Sequence, residues 1–238
     1  MANSYFKFKQ FTVHQHANAM KVATDSCLFG AWVANEIQIN KSKSEVELRT
    51  KLLDIGTGTA LLSLMIVQKN NVQIDAVEID KDAAEEAKQN VETSQWNNKI
   101  KVHHSNILSY PFPYVYHYIV CNPPFYENEL KSNTSGKNRA YHSMQLTIQQ
   151  VLQLIKKNLK PEGAFYLLIP GKRESEVEKL MKDLTMYPAK KVLVHLSATN
   201  KRYMIQGVLQ RADETEREEI TVNDEKFKTL LKDYYLNA

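Results

Sequence analysis

"LLDIGTGTALLSLMI", Leu52 to Ile66, starts as an apolar strand, bends at two glycines and resumes as an apolar helix. Gly56 and Gly58 supply the tight backbone angles of such a bend and leave bare main chain for a ligand to approach. Asp54 puts a carboxylate at the strand end, where a cationic or hydroxyl-bearing ligand can meet it. The stretch is not a Walker loop, because no Gly-Lys-Ser/Thr follows, and Leu61 stands where G-x-G-x-x-G has its third glycine. A glycine bend of this kind is common in α/β proteins. Its weight grows with "QIDAVEI", Gln73–Ile79, which ends on Glu78, about twenty residues past the bend, where an acidic side chain can hold ribose hydroxyls.

Outward from this unit the pattern repeats. "KLLDIG", "QIDAVEI", "KIKVHH", "YHYIVCN" and "GAFYLLIP" are short apolar runs of strand character, and helical stretches at Thr59–Lys69, Lys81–Ser94 and Leu146–Leu159 lie between them. Strands alternating with helices at this spacing predict right-handed βαβ units. "ESEVEKLMKDLTM" reads as a further helix, "KKVLVHLSA" and "YMIQGVLQ" as a closing antiparallel pair, and "DEKFKTLLKDYYLNA" as a C-terminal helix. At the start, "YFKFKQFTVHQH" alternates as a strand or hairpin does. "TDSCLFGAWVANEI" reads as a helix entered through Thr24 or Asp25, and Asn40–Thr50 as a polar connection. The expectation is an α/β fold with a seven-stranded, mostly parallel sheet flanked by helices. Residues 1–40 form an extension packing on a domain of residues 41–238, one domain overall.

Composition narrows the function. No segment is apolar for long enough to span a membrane, since "ALLSLMIV" is short and broken by Ser63. The N-terminus has no secretory core. Cys27 and Cys121 are too few for a disulfide framework, which points to a cytoplasmic protein. The seven histidines show no metal-ligand spacing, so no metal is expected. With 31 Lys and Arg against 27 Asp and Glu, the net charge is +4, compatible with an RNA partner without demanding one.

"DIGTGTALL" and "VEID" resemble the first two motifs of the class I S-adenosylmethionine-dependent methyltransferases. The resemblance implies a Rossmann-like fold, S-adenosyl-L-methionine as cofactor, the glycine turn against its methionine part and Glu78 with Ile79 at its ribose. It also implies a third-strand acid for the adenine amino group; here "HHSNIL" puts Asn106, followed by Ile107, in that place, and an amide oxygen can still accept from that amine.

"CNPPF", Cys121–Phe125, ends the fourth strand on two prolines, which remove two donors and fix two φ angles. It resembles the Asn-Pro-Pro-Tyr/Phe motif of methyltransferases that act on planar amides and amines. An adenine amino nitrogen is a poor nucleophile because its lone pair is delocalised into the ring. Two acceptors on its hydrogens, the Asn122 side-chain oxygen and the Pro123 carbonyl, draw it towards tetrahedral geometry, and the Pro123–Pro124 pair keeps them rigid. Phe125 stacks on the base. Cys121 reads as a small buried strand residue.

The N-terminal segment is more specific. Phe8-Lys9-Gln10-Phe11, Ala19-Met20-Lys21-Val22, Thr24-Asp25, Leu28 and Gly30-Ala31-Trp32 resemble the start of the bacterial tRNA1(Val) (adenine(37)-N6)-methyltransferase family. That resemblance implies N6-methylation of an adenosine in the tRNA anticodon loop, with Lys21, Thr24 and Asp25 approaching the cofactor, and a monomer is expected. Ala23 and Ser26 depart from it, since glycines are usual at both positions, and Arg139 in "NRAYH" stands beside the place of a usual Ala-Arg pair. Lys7, Lys9, Arg139, Lys172, Arg173, Lys201 and Arg202 are the basic side chains expected to meet RNA phosphates. Three other readings share parts of this pattern: a protein glutamine N5-methyltransferase, a DNA or rRNA adenine-N6 methyltransferase, and a cofactor-binding module that holds RNA without chemistry.

Overall fold

A computed structural model describes residues 3–16, 21–42, 50–123, 146–211 and 214–236. Strands β1 (Tyr5–Lys7) and β2 (Thr12–His14) form an antiparallel hairpin, and helix α1 (Thr24–Ser42) follows. Then come β3 (Lys51–Ile55), α2 (Leu61–Lys69), β4 (Gln73–Glu78), α3 (Lys81–Glu92), β5 (Ile100–His104) and β6 (Tyr116–Cys121). The remainder contains α4 (Ile148–Asn158), β7 (Leu159–Pro170), α5 (Glu174–Asp183), β8 (Tyr187–His195), β9 (Lys201–Val208), β10 (Glu216–Thr221) and α6 (Glu225–Leu231).

The main sheet runs β10-β8-β9-β7-β6-β3-β4-β5, with β9 antiparallel to both neighbours and the other pairings parallel. Among the described residues it holds eight strands where seven were expected. The additional one is β10, a charged segment that pairs in parallel with β8 at the sheet edge. Helix α1 also runs past Ile37 to Ser42, into the expected polar connection.

Successive side chains of a strand face opposite ways, so a sheet buried on both sides needs apolar residues at adjacent positions. Leu52, Val120, Tyr166 and Leu168 enter one core with α1, α2 and the segment ending at Tyr234. Their neighbours Leu53, Ile119, Cys121, Phe165 and Leu167 enter the other with α4 and α5. Helix α1 is apolar on most of its surface because it lies inside the first core. Gly30 brings it close to α2: a Cβ there would lie 2.7 Å from the Met65 sulfur.

From β3 the chain winds outward one way through β4 and β5, and the other way through β6 and β7. The winding therefore reverses between β3 and β6, and ligands of open α/β sheets bind at such a reversal, beyond the C-terminal strand ends. Ile55 pairs with Cys121 there, so Gly56 and Asn122 emerge side by side.

Candidate functional site

The glycine turn takes the left-handed conformation at Gly56 (φ 67°), Gly58 (φ 56°) and Ala60 (φ 63°). It is pinned from β4: the Gly56 and Thr57 amides donate to the Val77 carbonyl at 2.9 and 3.1 Å. Nothing lies within 4 Å of where a Gly56 Cβ would sit, so the main chain is open to a ligand.

Glu78 is no solvated strand-end charge. Its Oε2 accepts from the Gly58 amide at 2.9 Å, and its Oε1 from the Ile79 and Asp80 amides at 2.9 and 3.0 Å. One carboxylate thus fixes the turn and the start of α3. Ile79 is exposed at its side. Asp54 is fully buried; Oδ2 accepts from Thr57 and Ser63 at 2.7 Å each, while Oδ1 has no partner among the described residues. Burial pushes its carboxyl up to about 6 against those hydrogen bonds, and the Glu78 charge adds to the rise. Burial likewise raises the Cys121 thiol, as the reading of a buried strand residue requires.

Asn106 caps a short 3-10 turn, Ile107–Ser109, with its Oδ1 accepting from the Leu108 amide at 2.9 Å. That oxygen keeps one lone pair for an adenine amine. Ile107, expected at the cofactor, is instead buried in the second core, and Leu108 is the exposed residue.

At the end of β6, the Asn122 Nδ2 donates to the Ser26 hydroxyl at 3.1 Å, and its Oδ1 is buried without a partner among the described residues. Pro123 is buried beside it. Pro124, Phe125 and Arg139 lie outside the described residues. Thr24 and Asp25 open α1 above this point; Asp25 accepts from Arg202 Nε at 3.1 Å and from the Ser26 amide at 2.9 Å. Lys21 donates to the Gln15 carbonyl.

Sequence reasoning missed the fastening of the hairpin. Buried Asn90 of α3 exchanges hydrogen bonds with the His14 backbone at 2.8 and 2.9 Å and donates to the Thr59 carbonyl at 3.1 Å. An isolated asparagine in a helix gives no sign of partners so distant in the chain.

The basic residues divide. Pro170 pairs with Arg202, so Lys172, Arg173, Lys201 and Arg202 share the end of the sheet that carries Asn122. Arg173 is committed to Glu176 (2.7 and 2.8 Å) and Arg202 to Asp25. Lys9 is not brought to this end. The amide and ammonium of Lys9 donate to the Tyr234 and Lys232 carbonyls, and the Tyr234 hydroxyl donates to the Met65 carbonyl towards the far end of α2. A cavity of about 410 Å³, lined by Trp32, Glu36, Lys190 and Glu218 among others, also lies apart from the crevice. Among the described residues, no cluster of His, Cys, Asp or Glu can hold a metal, and no helix is long and apolar enough to cross a membrane.

Comparison with known proteins follows this geometry. The family model of the methyltransferase small domain matches residues 36–189. The tRNA1(Val) (adenine(37)-N6)-methyltransferase of Dyadobacter fermentans is 38% identical, with 98% of each chain covered. That of Cytophaga hutchinsonii is 46% identical over 71% of this chain and 68% of its own. Among solved structures, aTrm5 in its complex with tRNALeu superposes with a TM-score of 0.64 at 12% identity, covering 88% of this chain and 54% of that one, a likeness of fold alone.

Proposed function

We propose, for a chain that belongs to the tRNA1(Val) (adenine(37)-N6)-methyltransferase family, that it methylates N6 of an adenosine in the tRNA anticodon loop, adenosine 37 of a valine tRNA. It acts as a cytoplasmic monomer, with residues 1–40 as an extension packed on a catalytic domain of residues 41–238. The observation that carries the reading is the buried, partnerless Asn122 oxygen at the strand end beside the glycine turn. A buried acceptor without a donor costs about 1–3 kcal/mol. An amino group brought to the crevice removes that cost.

The residues present fit S-adenosylmethionine. Open main chain at Gly56 suits its methionine part, the Glu78 carboxylate its ribose hydroxyls, and Ile79 with Leu108 the faces of its adenine, whose amine meets Asn106. When bound it supplies a methyl group carried on a sulfonium. The chain's own part is positional. The Asn122 oxygen and the Pro123 carbonyl accept the two amino hydrogens of the target, which frees the nitrogen lone pair and holds it in line. Phe125 stacks on the base. A strong base is unnecessary, because the proton leaves a nitrogen that is already cationic and passes to water. An anticodon loop suits the site, since a base outside a duplex flips into a pocket at little cost.

The test offers purified protein and methyl-labelled cofactor to total tRNA, duplex DNA and cell-extract protein in parallel. Label is expected in tRNA as N6-methyladenosine. Label in protein glutamine or in DNA instead would overturn the reading.

A further inference from the structure

An asparagine amide has an acceptor end and a donor end of nearly the same shape, and only the acceptor end serves an amino group. In the crevice Ser26 anchors one end of the amide. Its hydroxyl lies 3.1 Å from Asn122 Nδ2 and accepts one amide proton, leaving Oδ1 buried and unpaired. Ser26 is itself held. Its amide donates to Asp25 Oδ1 at 2.9 Å, while Asp25 Oδ2 accepts from Arg202 Nε at 3.1 Å. The Arg202–Asp25 pair is largely shielded from water, with the two side chains 20% and 13% exposed, so screening weakens it less than a surface pair. A continuous path therefore runs from β9 through the first turn of α1 to the end of β6. Neither alanine nor glycine at position 26 can complete it.

We propose that Ser26 is a positioning residue for the target amine: it anchors the Asn122 amide through Nδ2, so that the amide plane is held and its oxygen is available when the base arrives. The proposal rests on the methyl-transfer reading above and adds a residue to it. Without the hydroxyl, the amide loses this anchor and samples other orientations, which lowers the competent fraction. Losing one hydrogen bond between neutral groups corresponds to about a 3- to 10-fold effect.

The experiment compares wild type with Ser26→Ala, Ser26→Gly and Ser26→Thr on an anticodon stem-loop. Single-turnover methylation at saturating RNA should slow about 3- to 10-fold in the alanine and glycine variants and recover in the threonine variant, which restores the hydroxyl. A second readout needs no methyl donor: binding of the stem-loop with adenosine at the target, against one with unsubstituted purine there. Wild type should prefer adenosine, and Ser26→Ala should lose most of that preference. Affinity for S-adenosylmethionine, read by calorimetry, should stay within about twofold, below the 3- to 10-fold expected of the lost hydrogen bond. An unchanged rate and preference in both the alanine and glycine variants overturns the role of Ser26 while leaving the activity intact. A threonine variant as slow as alanine also overturns it, because the side chain then matters for packing alone. A wild type that methylates neither the stem-loop nor whole tRNA overturns the proposed function, and this inference with it.

Discussion

Asn122 and Asp54 are both polar, both at strand ends, and both carry an oxygen without a partner, yet they do different work. The Asn122 oxygen is proposed as an acceptor for the target amine. Asn122→Ala should therefore cut the methylation rate by about 10²–10³, the usual effect of removing one preorganised electrostatic partner. Calorimetry should show cofactor affinity unchanged, and a near-normal single-turnover rate would refute the clamp. Asp54 is enclosed, and its effect appears as pH-dependent stability. Its folded-state carboxyl titrates at about 6 against an ordinary 3.8, so between those values the folded protein binds the extra proton. Stability then falls as pH rises through that window, by about 3 kcal/mol at about 1.4 kcal/mol per unit, and levels off above it. Asp54→Asn lacks this term, so the stability of wild type relative to the variant should drop between pH 4 and 6.5 in urea titrations. A difference that stays flat with pH would show that burial does not control this carboxyl. The glycine turn, Asn122 and Glu78 were legible in sequence because their residue types state a backbone or hydrogen-bonding need. Ser26 and Asn90 were not, since their meaning depends on partners 96 and 76 residues away.

At the scale of elements, the strands read correctly were those with an apolar run or a regular apolar alternation. β10 escaped notice because Glu216–Glu219 are all charged and Ile220 is its buried residue. Charge on an edge strand discourages pairing with other chains. The adjacent lysines of β8 tie the sheet to both layers. Lys190 reaches Glu36 of α1 at 3.1 Å and Glu216 and Glu218 of β10 at 3.1 and 2.7 Å, while buried Lys191 reaches Glu174 and Glu178 of α5. Burial alone would lower the Lys190 pKa, but its hydrogen bonds to Glu218 and Glu36 outweigh that and raise it. Between β7 and β9 the fit is steric. Gly207 sits opposite Phe165, and a Cβ on it would lie 2.1 Å from the ring. Gly207→Ala should cost about 1–3 kcal/mol in urea unfolding, as overpacking does. Adding Phe165→Leu should return part of that loss, although Phe165→Leu alone destabilises. Additive losses in the double variant would mean that ring and glycine are not coupled.

For the whole molecule, the net charge of +4 says little about where RNA binds, because the fold sorts the basic residues after the sequence has scattered them. Lys201 is exposed at the end of β9 that adjoins Arg202, Asp25 and Asn122, while Lys9 spends its ammonium on the Lys232 carbonyl towards the opposite end. Each phosphate neutralised by a lysine releases condensed counterions, so the logarithm of affinity falls linearly with the logarithm of salt concentration, and losing one contact lowers the slope by about 1. Lys201→Ala should therefore weaken tRNA binding at low salt, flatten the salt dependence by about one unit, and leave cofactor affinity alone. Lys9→Ala should bind tRNA with the wild-type slope. Binding isotherms of both variants across a salt series decide the matter. A flattened slope for Lys9→Ala with none for Lys201→Ala would move the RNA track to the other end of the sheet, away from the Asn122 oxygen proposed to accept from the target amine.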